Sequence, residues 1–122
     1  MTLRELYENM GADYDQALRV LRIDRLLNKH IRRFPKNDAV GHLITCRDTM
    51  DGHELFESAH AVKGLCANLG LTALSDKASA IAEEYRPGNA RTMSDEEVKA
   101  LIDEVEDLYQ KTSLAIMDYI NS

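Results

Sequence analysis

The chain has 122 residues, of which 30% are charged, with a net charge of −6, two cysteines and two prolines. That length buries a core without disulfides or metals, and the acidic balance argues against nucleic acid, because phosphate contacts need clustered cations. No apolar run reaches the roughly eighteen residues that a membrane span requires, and the opening Met1-Thr-Leu-Arg-Glu-Leu6 lacks the order of a signal peptide.

The expectation is therefore a soluble, cytoplasmic protein with one domain over residues 1–122, and nothing demands more than a monomer. Proline and glycine fall between periodic segments and β-branched alternation is absent, so the whole chain reads as helices. Thr2 and Glu5 can form a capping box for a short first helix that ends near Gly11 and packs as a lid. Asp13 can cap a second helix with Tyr14, Ala17, Leu18 and Leu21 on one face. Ile23, Leu26, Leu27, Ile31 and Phe34 continue the apolar pattern to Pro35, which should push Phe34 out of α geometry. Whether Asp24 starts a helix of its own or lies within one bent helix stays open at this level.

Asn37 or Asp38 can cap the next helix, with Val40, Leu43, Ile44 and Arg47 leading to a turn at Asp51-Gly52. Cys46 and Cys66 both fall on apolar helix faces and read as reduced core thiols. The segment from His53 to Gly70 follows. At about 100° per residue, Leu55, Val62 and Leu69 share one side with Ala59, Cys66 and Leu65 beside them, and His60 lands almost opposite. Around His60 lie Phe56 and Gly64 at four residues, Glu57 and Lys63 at three, and His53 and Ala67 at seven.

Beyond Gly70, a natural C-cap, Leu74, Ala78, Ile81, Ala82 and Tyr85 form the buried face of another helix that stops at Pro87-Gly88-Asn89. Ser94 with Glu97 offers a second capping box, and Val98, Leu101, Ile102, Val105, Leu108, Tyr109, Thr112, Ile116 and Ile120 mark a long amphipathic helix. Short connections between long helices favour antiparallel neighbours. The fold expected is all-α: an up-and-down antiparallel four-helix bundle with one or two short accessory N-terminal helices.

Gly64 is the odd residue in this pattern, because glycine inside a helix costs about 1 kcal/mol relative to alanine. Its missing side chain leaves room beside His60 for a bulky group or an approaching protein, while Lys63 puts a positive charge where an anion on that ring would sit. The combination suits a histidine that carries a phosphoryl group. His60-Ala-Val-Lys63-Gly64-Leu-Cys-Ala-Asn-Leu-Gly70-Leu resembles the His-x-x-Lys-Gly-x-x-x-x-x-Gly signature of histidine-containing phosphotransfer (HPt) domains, and residues from Gly11 to about Arg86 fit that family. Leu65-Cys66 departs from it, since many relatives carry smaller or hydroxylated residues there.

The resemblance implies reversible transfer between Nε2 of His60 and an aspartate of a response regulator receiver domain, in a multistep relay that can include a hybrid histidine kinase. Neutral imidazole is the nucleophile, so no general base in this chain is required. Transfer depends mostly on alignment and charge stabilisation, and the partner holds the metal site and the acidic pocket. His60 is the phosphoryl acceptor and donor and Lys63 stabilises its charge. Gly64, Phe56, Ala67, Glu57 and His53 form the receiver docking face, and Gly70 is structural. Phe56, Ala67 and part of Gly64 should make an apolar patch around His60, unless a neighbouring helix covers Phe56.

Seven cations, Arg19, Arg22, Arg25, Lys29, Arg32, Arg33 and Lys36, recur at three- and four-residue spacing. They read as a solvated stripe or as a surface that steers an acidic receiver. No nucleotide cradle, Ser-His-Asp arrangement or CxxC pair is present, so the chain reads as a carrier rather than an enzyme, with no ATP site, cofactor or metal. Two alternatives remain: a catalytically silent receiver-binding module, and a metal-binding bundle that uses the Glu57-x-x-His60 spacing with His53 as a third ligand.

Overall fold

The computed structural model describes residues 1–122. It contains seven α-helices and no strand: α1 Leu3–Met10, α2 Tyr14–Leu21, α3 Asp24–Arg33, α4 Asp38–Thr49, α5 Gly52–Asn68, α6 Thr72–Tyr85 and α7 Asp95–Ile120, with a 3-10 turn at Phe34–Lys36. Capping residues read from the sequence start four of them, and Asp51, read only as part of a turn, starts a fifth. Thr2 and Ser94 close capping boxes with Glu5 and Glu97, and Asp13, Asn37 and Asp51 accept backbone N–H groups at the starts of α2, α4 and α5. Asn37 rather than Asp38 caps α4.

The four longest helices, α4 to α7, form the antiparallel bundle. Cross-helix contacts tie them together: the Cys46 thiol lies 3.6 Å from the Ser58 hydroxyl across the α4–α5 turn, Ser75 on α6 donates to the Lys63 carbonyl on α5 at 3.1 Å, and Lys77 reaches Glu104 on α7 at 3.0 Å. Arg47 closes the ring from α4 to Asp103 and Glu106 of α7. The core is one continuous cluster that includes Leu43, Leu55, Val62, Leu74, Ile81, Val98, Ile102 and Ile116. It contains every aliphatic residue that the α5 pattern assigned inward except Leu65, which is half-buried.

Two details depart from expectation, at Phe34 and in α1, and the division of α2 from α3, left open by the sequence, is decided. Phe34 remains in right-handed helical geometry (φ −57°, ψ −42°). Pro35 sits early in the 3-10 turn, where its missing N–H leaves no bond unmade, so the chain tightens instead of breaking. α2 and α3 are separate helices, because Arg22 adopts a positive φ of 73° and Ile23 is extended. The break rotates the two faces apart and leaves Ile23 and Leu26 exposed, while Leu27, Ile31 and Phe34 enter the core. α1 is more than a lid: Leu3, Leu6 and Tyr7 are buried, and the Tyr7 hydroxyl donates to the Leu69 carbonyl at 2.6 Å.

Candidate functional site around His60

The orientation of His60 follows from the way α5 is pinned along its length. At its start, the Glu54 N–H donates to the Asp51 carboxylate at 3.0 Å, and Gly52 lies so close to Tyr85 that an added Cβ would stand 3.3 Å from Cδ1. Leu55, Ala59, Val62 and Cys66 are buried along its length. At its end the Leu71 N–H bonds to the Cys66 carbonyl at 2.8 Å and the Gly70 N–H to Ala67 at 3.2 Å, a Schellman arrangement with Gly70 left-handed at φ +69°. The Gly70 carbonyl also accepts a hydrogen bond from the Asp13 N–H at 2.8 Å, and a Cβ on Gly70 would fall 2.1 Å from the Asp13 oxygen. With the helix unable to roll, His60 stands exposed on the opposite side.

Phe56 and His60 stack one turn apart, with ring centroids 5.7 Å apart and planes inclined by 20°. Phe56 is half-buried: part of its ring packs on the core, and the Arg86 guanidinium at the end of α6 lies 5.8 Å from its centroid. The expected exposed aromatic is thus a shared one that supports His60 from the edge of the core. Lys63 is half-buried, and its carbonyl is tied to Ser75. Its charge reaches Glu83, whose carboxyl is held below the usual carboxylate range by Arg86 first and by Lys63 to a lesser degree. Gly64 is exposed, and a Cβ there would meet nothing within 4 Å. No packing inside the chain accounts for glycine at this position. His53 and Glu57 are exposed and Ala67 is half-buried.

The Hpt domain family model matches residues 2–111. The chain belongs to the Hpt domain family. Hpt domains are phosphotransfer modules of two-component signalling, carriers rather than enzymes in general, and the family interacts with receiver domains and kinases. No curated protein and no solved structure matches the chain. No helix of this Hpt domain is long and apolar enough to cross a membrane.

The metal alternative read from Glu57, His60 and His53 finds no support, since these three side chains do not converge within ligand-binding distance of one another. The group that does converge is His42, Cys46 and Glu54. Their spacing of four residues along α4 is visible in the sequence, but Glu54 joins them only through the packing of α5 on α4. Arg86, Glu83 and Ser75 were likewise beyond reach of the sequence, because Ser75 and Glu83 lie on α6, Arg86 caps its end, and all three meet the His60 face by tertiary contact. The seven cations from Arg19 to Lys36 are all exposed and none is ion-paired within the chain. Two residues of this N-terminal region, His30 and Arg33, line a cleft with Leu65 and Asn68 of α5, which places the basic surface beside the C-terminal half of the His60 helix.

Proposed function

We propose that this Hpt domain, acting over residues 1–122 as one monomeric unit, is a phosphohistidine carrier that shuttles phosphoryl groups between His60 and aspartates of response regulator receiver domains. In the forward step the Nε2 lone pair of His60 attacks the phosphorus of an aspartyl phosphate. The bond from phosphorus to the aspartate oxygen breaks, the receiver regains its carboxylate and His60 carries the phosphoryl group; the reverse step returns it. Alignment and charge stabilisation supply most of the rate in such transfers. The stacked Phe56 ring restricts the imidazole, and Lys63 offers a cation to the phosphoryl oxygens. Gly64, Ala67, Glu57 and His53 make the surface that a receiver covers. Direction of flow and the identity of the kinase lie with the partners, and the site of action is proposed to be the cytoplasm.

The observation that carries this reading is the exposed imidazole braced on Phe56 beside a glycine that nothing in the chain requires. The test is incubation with a panel of receiver domains charged by acetyl phosphate. Wild-type protein is expected to acquire an acid-labile, base-stable label, His60→Gln none, and Lys63→Ala a label at a reduced rate. A label that survives in His60→Gln refutes the assignment. Tight receiver binding without any label would establish the silent binding module instead.

A further inference from the structure

We propose that His42, Cys46 and Glu54 form a binding site for a divalent transition metal of the zinc class, on the α4–α5 side of the bundle and separate from the phosphotransfer face. An imidazole nitrogen, a thiol sulfur and a carboxylate oxygen from these residues lie within 4.8 Å of one another. α4 places His42 and Cys46 four residues apart on one face, and the short α4–α5 turn brings Glu54 across to meet them. Cys46 is buried and forms the floor, whereas His42 and Glu54 stand exposed at the rim.

A tetrahedral zinc site has Zn–S near 2.3 Å and Zn–N or Zn–O near 2.0–2.2 Å, which sets its donors about 3.3–3.7 Å apart. Closing the group therefore takes movements of about 1 Å, and the two exposed side chains are free to make them. The mixture of thiolate, imidazole and carboxylate suits zinc or cobalt and not calcium or magnesium, which prefer all-oxygen sets. Three protein ligands leave the fourth position to water. The Ser58 hydroxyl, buried and 3.6 Å from the Cys46 sulfur, is placed to donate to the thiolate and hold it in orientation. The Asp51 carboxylate, engaged at the start of α5, adds negative charge nearby. Binding forms the sulfur–metal bond, and the thiol proton leaves to the buffer.

The site would join α4 to the helix that carries His60. Glu54 precedes His60 by six residues, about 120° away around α5, so metal and phosphoryl group do not compete for the same surface. The second cysteine, Cys66, is buried in the core and belongs to no such converging group of three.

The experiment is titration of the chelator-treated full chain with Co2+, followed by thiolate-to-cobalt charge-transfer absorption, and then displacement with Zn2+. One equivalent of cobalt is expected to produce the band, one equivalent of zinc to abolish it, and zinc to raise the thermal midpoint. Cys46→Ser should lose the band, His42→Ala and Glu54→Gln should weaken cobalt binding about tenfold or more, and Cys66→Ala and His60→Gln should keep it. No band at millimolar cobalt, or a band that persists in Cys46→Ser, overturns the proposal. The two rim variants are exposed substitutions that leave the core intact, so unchanged affinity in both overturns it even if Cys46→Ser does not fold.

Discussion

The His60 imidazole lies stacked on the Phe56 ring, with centroids 5.7 Å apart and planes inclined by 20°. Phe56 is anchored in turn at the edge of the core and beside Arg86, so the proposed nucleophile rests on a fixed support although its own ring faces solvent. Replacing Phe56 by Ala should cost about 1–3 kcal/mol of stability, less than a fully buried Phe because the ring is only half-buried. It should also slow transfer from a charged receiver by more than the loss of folded protein explains. Denaturant titration beside single-turnover transfer separates the two effects, and transfer unchanged per folded molecule would show that the stack is incidental.

The same substitution should act with opposite sign at two glycines of this helix region. Gly64→Ala removes a helix-interior glycine that has open space around it, and should stabilise the fold by about 0.5–1 kcal/mol while slowing phosphotransfer, because the added methyl stands where the partner approaches. Gly70→Ala forces a side chain into left-handed geometry and against the Asp13 carbonyl. It should cost about 1–3 kcal/mol from the backbone conformation alone, and more from the clash. Thermal unfolding of the two variants is the measurement. A destabilised Gly64→Ala would mean that its glycine serves the fold and not the docking surface.

Glu84 gives the stability a defined acid dependence. Its side chain is buried, and the Met93 N–H bond, helped by the N–H and hydroxyl of Thr92 and by Arg91, holds its carboxyl below the usual carboxylate range against the opposing effect of burial. The folded state therefore binds a proton more weakly than the unfolded chain. The stabilisation is complete above the ordinary carboxylate pKa and is lost as pH falls through that value toward the depressed one. Glu84→Gln should be less stable than wild type near neutrality, and the gap should close as the solution is acidified. Urea midpoints for both proteins across that range would show it, and a gap independent of pH would contradict it.

The seven exposed, unpaired cations between Arg19 and Lys36 should accelerate encounter with an acidic receiver without taking part in the chemistry. Charge reversal at Arg25 and Lys29 is expected to lower the association rate severalfold at low salt, with little difference left at high salt. The rate of transfer within the bound complex should stay the same. Stopped-flow association at several ionic strengths tests this, and a salt-independent defect would point to direct contact rather than steering.

Periodicity and capping chemistry are local, and they were enough to specify most of the helices, the starts at Thr2, Asp13 and Ser94, a start at Asn37 or Asp38, and the outward aim of His60 opposite Leu55, Val62 and Leu69. The His60-x-x-Lys63-Gly64 spacing also made the family legible, because all of its members sit on one helix. Other features depend on where separate helices meet, which no spacing along the chain encodes. Packing alone put Phe56 at the core edge beside Arg86, set Asp13 against Gly70, turned Ile23 and Leu26 outward after the break at Arg22, and brought Glu54 to His42 and Cys46. Apart from the outward turn of Ile23 and Leu26, each of these is a contact between residues remote in sequence or on different helices, decided by which apolar faces bury one another once the bundle closes.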